Sequence, residues 1–235
     1  MSFLERSLPL IGEDGEKKLN NSSVIVFGVG GVGSWCAEAL VRCGIGKITV
    51  VDGDVVSDSN RNRQLIALKS TINQSKASAC ALRLKDVNDE CVITPIDLFY
   101  SAETADSIDL GEYDFVADCI DTVTSKLLLI QRAKENGVEI ISSMGTGNRL
   151  DPSRITVRDV FKTEGDPLAR VMRKELRARG VEALTVVCSD EPAGKCVEGR
   201  NEITGRATPS SAVFVPATAG LRMAYEIVTR LISKE

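Results

Sequence analysis

A glycine-rich stretch at residues 24–54 constrains the fold more than any other part of the chain: VIVFGVGGVGSWCAEALVRCGIGKITVVDGD. An apolar run leads into Gly28, Gly30 and Gly33, a helical pattern follows, and a second apolar run ends at Asp52. This order predicts a strand, a tight turn, a helix and a second, parallel strand. A βαβ unit with G-x-G-x-x-G at its turn is typical of proteins that bind a nucleotide.

Each residue of this motif has a physical reason for its position. We expect Gly28 to take the tight turn, Gly30 to let a phosphate approach the backbone, and Gly33 to let helix and strand pack closely. The helix N-terminus supplies free N–H groups and a partial positive charge. A carboxylate at Asp52 is placed to accept both hydroxyls of a ribose. A tight turn without a ligand is the alternative, and the downstream Asp52 favours a bound ribonucleotide.

The chain contains no histidine, which excludes several kinds of catalytic site. Ser-His-Asp triads, Cys-His dyads and H-E-x-x-H zinc sites all require that side chain. The seven cysteines form no C-x-x-C pair, which favours free thiols in a cytoplasmic protein over disulfides or a four-cysteine zinc site. A net charge of −4 argues against a globally basic nucleic-acid binder. No apolar run is long enough to span a membrane, so we expect no membrane contact.

Strand and helix patterns alternate up to about residue 145 and predict the fold class. We expect an α/β protein with a Rossmann-like, doubly wound and mainly parallel sheet, extended by antiparallel strands in the C-terminal third. Further expectations are a helix near residues 101–108, inward-facing Leu82 and Leu84, and a last helix at 213–232 that is interrupted at Pro216. We expect one domain over residues 1–235, composed of a helical arm (1–22), a nucleotide-binding core (23–145) and a C-terminal region (146–235) with a long loop at 189–208.

Polar and charged residues collect around the glycine turn in this predicted fold. Asp52 and Asp121 each follow a predicted strand, and they provide two carboxylates for a ribose and a metal ion. Arginine and lysine side chains suited to phosphates lie on the connecting segments. The complete set after the turn is Asp52, Asp54, Asn60, Arg63, Gln64, Lys76 and Asp121. An NAD-dependent oxidoreductase is an alternative, but it leaves Arg63, Lys76 and Asp121 without a purpose.

These residues and several longer motifs carry a family resemblance over nearly the whole chain. The sequence resembles the superfamily of adenylating enzymes that includes the ubiquitin-activating enzymes and the molybdopterin and thiamine sulfur-carrier adenylyltransferases. Within it, the chain looks most similar to the tRNA threonylcarbamoyladenosine dehydratases. The motifs that carry this narrower resemblance are RSLPLIG with Arg6, GVGGVGSWCAEAL, GIGKITVVDGD, NRNRQLIAL, DPLARVMRKELRARG and SSAVFVPATAGL.

The resemblance implies a role for each candidate site residue. Gly28, Gly30, Gly31 and Gly33 would line the ATP turn, and Asp52, with Asp54 beside it, would hold the ribose. The remaining assignments are Arg63 and Lys76 on the triphosphate, Asp121 on Mg²⁺, and Asn60 and Gln64 orienting the phosphates or the base ring. Arg6 would reach into the site of a neighbouring protomer, which implies a homodimer. Residues 1–235 would then form a single adenylating domain with 146–235 as its substrate and dimer region.

The resemblance also implies the reaction. A carboxylate attacks the α-phosphorus of ATP, pyrophosphate leaves, and an internal nucleophile displaces AMP from the resulting mixed anhydride. In the dehydratases this carboxylate is that of the threonylcarbamoyl group on a tRNA adenosine. The alternative within the superfamily is adenylation of the C-terminal glycine of a ubiquitin-like sulfur carrier, and a cysteine desulfurase or another sulfur-transfer partner remains possible. The missing C-x-x-C pairs favour the dehydratase reading.

Several of these residues also have a plain structural explanation. Asp121 can cap the helix predicted to begin near residue 122, and Arg63 and Lys76 can be solvated cations. Cys188 and Cys196 are expected to be ordinary free thiols rather than thioester-forming residues.

A basic helix is predicted near residues 166–179. Its cations Arg170, Arg173, Lys174 and Arg177 follow the spacing i, i+3, i+4, i+7, so they share one face. A solvated helix face and a contact for the tRNA backbone are both open at this point.

Overall fold

A computed structural model describes residues 3–194 and 209–234 of the chain. Helices and strands alternate along most of these residues. The helices are α1 Leu8–Asn21, α2 Gly33–Arg42, α3 Lys76–Val87, α4 Val123–Glu135, α5 Pro167–Ala178 and α6 Phe214–Ser233. The strands are β1 Ser23–Phe27, β2 Lys47–Val51, β3 Val92–Ile96, β4 Phe115–Asp118, β5 Glu139–Ser143, β6 Ile155–Asp159 and β7 Thr185–Ser189.

The strands form one sheet in the order β3-β2-β1-β4-β5-β7-β6. All neighbouring pairs are parallel except β6 and β7, which are antiparallel. The strands β2 and β3 lie on one side of β1, and β4 and all later strands lie on the other side. The carboxyl ends of β1 and β4 therefore flank the point where the strand order reverses, which is where doubly wound sheets bind their ligands. The predicted fold class is confirmed, and its C-terminal extension consists of β7 and the antiparallel β6.

Apolar side chains cover both faces of the sheet, as the continuous apolar strands require. In β1, Val24 and Val26 face the layer formed by α1, α2, α3 and α6, whereas Ile25 and Phe27 face the layer formed by α4 and α5. This alternation follows from the two-residue period of a strand. Burial on both faces holds the strand ends, and the loops that follow them, in fixed positions.

Two of the expected helical features are wrong. The segment 101–108 contains only the 3₁₀ turn Ala105–Ser107, because the Thr104 hydroxyl bonds the Phe99 carbonyl and accepts from the Ser101 N–H. Leu84 is buried, but Leu82 is 70% exposed. Residues two positions apart on a helix point in nearly opposite directions, so both leucines cannot face inward.

The expected interruption of the last helix at Pro216 is also wrong. Pro216 is the third residue of α6. An N–H in the first turn of a helix has no intrahelical partner, so a proline there removes no hydrogen bond. The helix therefore runs unbroken, and Pro216 contributes to the wall of the cavity described below.

No helix in the described ranges is both long enough and apolar enough to cross a membrane.

Candidate nucleotide-binding site

A cavity of about 670 Å³ opens at the carboxyl ends of β1, β2, β4 and β5. Its first wall comes from the glycine turn and the segments after β2 and β4. Its second wall comes from residues 143–147, at the end of β5 and directly after it, and from residues within 209–216, before and at the start of α6. The cavity therefore uses residues of both the predicted nucleotide-binding core and the predicted C-terminal region. Most of the predicted site residues line it: Gly28, Gly30, Gly31, Asp52, Asp54, Arg63, Gln64, Lys76 and Asp121.

The glycine turn has the geometry expected of its residues. Gly28 adopts a φ of 83°, in the left-handed region, and a Cβ there would lie 2.9 Å from the Cys119 carbonyl oxygen. At Gly33 a Cβ would lie 1.8 Å from the Gly28 carbonyl oxygen. Gly33 is not part of the cavity wall, and its role is to let α2 begin directly against the turn. The N-terminus of α2 thereby lies beside the cavity.

Asp52 is held by backbone donors on both carboxylate oxygens. Its Oδ2 accepts from the Val29 N–H at 2.8 Å and its Oδ1 from the Asp54 N–H at 2.9 Å. Burial raises the pKa of Asp52, against the lowering effects of the Lys76 charge and of these two donors. A carboxylate oxygen carries two lone pairs, so each oxygen can accept one further hydrogen bond from a sugar hydroxyl.

Lys76 and Asp54 form an ion pair at the mouth of the cavity. The Lys76 Nζ lies 2.8 Å from the Asp54 Oδ2, and the side chain of the lysine is 8% exposed, whereas that of the aspartate is 55% exposed. Lys76 is the first residue of α3, where a cation opposes the helix dipole. The geometry therefore does not support a freely solvated Lys76. Its ammonium lies in the cavity wall, with an exposed carboxylate as counter-ion.

Arg63 lines the cavity with its side chain folded along its own loop. Its Nη1 donates to the Ser59 carbonyl at 3.0 Å and to the Asn62 Oδ1 at 2.9 Å. The Arg63 carbonyl accepts from the indole N–H of Trp35 at 3.1 Å, which ties this loop to α2. The remaining donors of the guanidinium are available to a phosphate.

Gln64 and Asn60 differ in their surroundings. Gln64 is buried, and its Nε2 is the atom nearest to a Cβ placed at Gly30, at 3.6 Å, whereas its Oε1 has no hydrogen-bond partner within the described ranges. Asn60 is not among the residues that line the cavity. Its Oδ1 accepts from the Ser57 N–H and closes a 3₁₀ turn. The structure therefore does not bring Asn60 to the site, because its amide is used in that local turn.

Asp121 lies at the cavity edge, after the end of β4. Its side chain is exposed, and its Oδ1 accepts only a long contact of 3.4 Å from the Thr122 hydroxyl. The N-cap residue of α4 is Thr122, so the alternative that Asp121 caps this helix is wrong. The described residues contain no group of three or more metal-ligating side chains. A Mg²⁺ ion at Asp121 would therefore take most of its ligands from phosphates and water, as Mg²⁺ commonly does.

Two buried ion pairs lie beneath the site, and neither was predicted from sequence. Asp118 and Lys126 have fully buried side chains with a 2.9 Å contact between Oδ2 and Nζ. Arg149 and Asp166 are 1% and 0% exposed in their side chains, with 3.3 Å between Nη2 and Oδ2. The available signal was a charged residue inside or beside an apolar run, as in FVAD and SKLLLI. Burial of such a residue requires a partner.

The predicted tRNA-contacting residues on α5 fall into two groups. Arg170 and Lys174 are exposed. Arg173 donates to the backbone carbonyl of Thr163, and the Arg177 guanidinium lies 5.0 Å from the centroid of the Phe161 ring. Asp166 caps α5 by accepting a hydrogen bond from the Ala169 N–H. The basic face therefore presents two unobstructed cations, and the other two are partly occupied by contacts within the protein.

Arg6 lies far from the cavity of its own chain. It is exposed, and the neighbouring Leu4 packs against Gly44, which follows the C-terminal end of α2. The N-terminal end of α2 borders the cavity, and a helix of 10 residues is about 15 Å long. Arg6 does not contribute to the site of its own chain.

Of the two cysteines that could form a thioester, Cys188 lies within the described residues and Cys196 does not. Cys188 is a free, buried thiol in β7, and burial raises its pKa, which lowers its reactivity. It fits the expectation of an ordinary thiol. Cys196 and most of the predicted loop 189–208 lie outside the described residues.

Comparisons with known proteins agree with this architecture. The chain is 40% identical over 232 residues to the tRNA threonylcarbamoyladenosine dehydratase of Bacillus subtilis, covering 94% of this chain and 91% of that protein. The E. coli dehydratase in complex with ATP superposes with a TM-score of 0.86 at 32% identity, covering 97% and 93% of the two chains; its AMP complex has a TM-score of 0.87.

The similarity to sulfur-carrier adenylyltransferases is more limited. The adenylyltransferase and sulfurtransferase MOCS3 of Xenopus laevis is 34% identical over 136 residues, 58% of this chain and 30% of that protein. The model of the ThiF family, in contrast, matches residues 4–234. The chain therefore belongs to the ThiF family, in which it is similar over nearly its whole length to tRNA threonylcarbamoyladenosine dehydratases.

Proposed function

We propose that this protein uses ATP to adenylate the carboxylate of threonylcarbamoyladenosine in tRNA and thereby closes that group into its cyclic form. The observation that carries the proposal is the convergence of ribose-binding and phosphate-binding side chains on one cavity at the switch point of the sheet. The whole-length similarity to dehydratases with structures containing ATP and AMP supports this assignment. The reaction needs no histidine, in agreement with the composition.

The bound nucleotide is oriented by groups that follow β1 and β2. Asp52 accepts the ribose hydroxyls, and the backbone at Gly30 with the N-terminus of α2 receives the phosphates. Arg63 and Lys76 stabilise the negative charge of the leaving pyrophosphate. These groups are held by contacts within the protein, so positioning and fixed charge supply most of the rate enhancement.

The chemistry proceeds in two balanced steps. In the first, the substrate carboxylate attacks the α-phosphorus of ATP, and the bond to pyrophosphate breaks. In the second, the neighbouring carbamoyl group attacks the activated carbonyl carbon and loses a proton to water, and AMP leaves with one of the carboxylate oxygens. The net change in the nucleoside is the loss of one water, with its oxygen in AMP. A histidine proton shuttle is not required.

The donor set at the phosphate end of the cavity fits a Mg²⁺ ion. Asp121 would hold it, since its carboxylate is exposed, lines the cavity and has a single long contact with Thr122. When bound there, the ion would neutralise charge on the phosphates of ATP. Gln64 lines the cavity with its Nε2 towards Gly30, where it would donate to a phosphate oxygen.

The tRNA and the second protomer occupy other surfaces in this proposal. The exposed cations Arg170 and Lys174 contact the tRNA backbone. Arg6 completes the site of a partner chain in a homodimer, which is consistent with its distance from its own cavity. A cytoplasmic location and a sulfur-transfer partner stay predictions from the sequence.

A pyrophosphate-exchange assay with two substrates tests the proposal. We expect exchange between labelled pyrophosphate and ATP only when tRNA carrying threonylcarbamoyladenosine is added. The second candidate, favoured by the partial similarity to MOCS3, predicts exchange with a ubiquitin-like carrier protein that ends in glycine. Unmodified tRNA is the matched control for the first substrate. Exchange with the carrier alone would replace the proposed function by the second.

A further inference from the structure

We propose that the buried ion pair of Asp118 and Lys126 is a positioning unit that fixes the carboxylate of Asp121 at the phosphate end of the cavity. The inference rests on the proposed function, because it names how one of its ATP-binding groups is held. Neither residue of the pair touches the cavity. Both act through the backbone between β4 and α4.

The pair connects three elements. Asp118 ends β4, Lys126 lies in the first turns of α4, and the Ser142 hydroxyl of β5 donates to the Asp118 Oδ2 at 2.6 Å. Both charged side chains are 0% exposed. Because desolvation offsets most of the attraction in such a pair, a buried ion pair is weak evidence for a purely stabilising role. The hydrogen bonds of the two side chains instead fix the positions of the backbone groups that they contact.

The pair holds both backbone groups of Ile120, the residue directly before Asp121. The Ile120 N–H donates to the Asp118 Oδ1 at 3.2 Å, and its carbonyl accepts from the Lys126 Nζ at 2.9 Å. One residue earlier, the Cys119 N–H donates to the Phe27 carbonyl at 2.8 Å. The segment 119–121 is therefore fixed relative to the glycine turn, where the Cys119 carbonyl packs against Gly28.

Asp121 itself has little to hold it. Its side chain is exposed and has one 3.4 Å contact, with its neighbour Thr122. Its position relative to bound phosphates must therefore be set by its backbone. In the described part of the chain, Asp118 and Lys126 are the only charged side chains that form hydrogen bonds with this backbone segment.

The test is a comparison of MgATP and AMP binding by calorimetry, which needs no tRNA or carrier protein. The double variant Asp118→Asn/Lys126→Met removes the pair without leaving a buried charge unpaired. We expect it, like Asp121→Ala, to weaken MgATP binding by about tenfold, the loss of roughly one charge-assisted contact. AMP, which lacks the β- and γ-phosphates, should bind within about twofold of wild type in both.

Adding Asp121→Ala to the double variant separates positioning from a structural role. If the pair acts through Asp121, the combined variant loses no more MgATP affinity than either parent. Additive losses, or equal weakening of AMP and MgATP, would overturn the proposal. Glu38→Gln is the matched control, because it breaks a buried carboxylate's ion pairs with Arg42 and Arg83 away from the cavity. Its MgATP affinity should match wild type.

Ser142→Ala keeps the proposal testable if the double variant does not fold. It removes one hydrogen bond to Asp118 and leaves the ion pair in place. We expect MgATP affinity to fall by about two- to fivefold with AMP binding unchanged. Unchanged binding of both nucleotides would refute the positioning role. Failure of the proposed tRNA reaction would leave these binding results unaffected, so the two claims fail separately.

Discussion

Gly30→Ala separates the nucleotide site from the fold. At this position an added Cβ would have only the Gln64 side chain within 4 Å among the described residues, with the Nε2 at 3.6 Å. The folded protein therefore has room for the methyl group, and Gly30 has no positive φ that an alanine would strain. Replacement of glycine by alanine at such a position stabilises a protein by about 0.4–1 kcal/mol through the unfolded state.

The expected effects on stability and on binding have opposite signs. For a chain of this size, that gain raises Tm by about 1–4 °C. The same methyl group occupies the space through which a phosphate approaches the backbone. Loss of one hydrogen bond to a charged phosphate costs about 1.5–3 kcal/mol, or roughly 10- to 150-fold in ATP affinity.

Gly33→Ala is the contrasting variant. A Cβ there would lie 1.8 Å from the Gly28 carbonyl oxygen, whereas real Cβ contacts essentially never fall below 3.0 Å. Strain of this kind costs about 3 kcal/mol or more, which lowers Tm by about 6–12 °C. Thermal unfolding with and without MgATP measures both effects. A Gly30→Ala protein that binds ATP as tightly as wild type would refute the assignment of the phosphate path.

Three further predictions concern charge at the site and on α5. The ratio of the ATP affinity of wild type to that of Asp52→Asn should fall as pH drops through the pKa of Asp52, because only the ionised form accepts two hydroxyls. Since burial raises this pKa, the fall should occur above the usual value of 3.8. An affinity ratio that does not change with pH contradicts this role. Asp121→Ala should lower the AMP-forming rate at least about tenfold, with partial recovery at high Mg²⁺ concentration, and an unchanged rate removes the metal assignment. Arg170→Gln/Lys174→Gln should raise the KM for tRNA about tenfold and reduce its salt dependence without changing ATP binding, whereas a higher KM for ATP argues against a tRNA face.

The ionisation of Asp52 also affects the stability of the folded protein. Because its folded pKa is raised, ionisation of this carboxyl disfavours the folded state. Its contribution to stability is therefore most favourable below the ordinary pKa of 3.8 and declines as pH rises to the folded pKa. Asp52→Asn should remove this part of the pH dependence of unfolding.

Local sequence signals predicted the first βαβ unit closely. The boundaries of β1, Ser23–Phe27, and β2, Lys47–Val51, follow directly from apolar runs bounded by polar residues and glycines. The basic helix predicted near residues 166–179 is α5, and it starts where an aspartate N-cap is followed by a proline, a local signal in the sequence. These features depend only on residues that are close together in the sequence, so the sequence alone predicts them.

Features that depend on distant residues were missed. The Asp118 carboxylate forms an ion pair with Lys126 on the next helix and accepts a hydrogen bond from Ser142 on the next strand. No spacing rule predicts that arrangement. The second wall of the cavity forms because Asn148 and Ser210, far apart in sequence, exchange hydrogen bonds. Asn60 was missed for a local reason, because its Oδ1 accepts from the Ser57 N–H and closes a turn away from the site.

Mass spectrometry of tRNA nucleosides after incubation with this protein, ATP and Mg²⁺ tests the central claim most directly. The proposed reaction predicts that threonylcarbamoyladenosine disappears and that a product lighter by one water replaces it, with one AMP released for each nucleoside converted. Omission of ATP, or the Gly30→Ala variant, should suppress the conversion. Unchanged threonylcarbamoyladenosine in the presence of a protein that binds ATP would contradict the account.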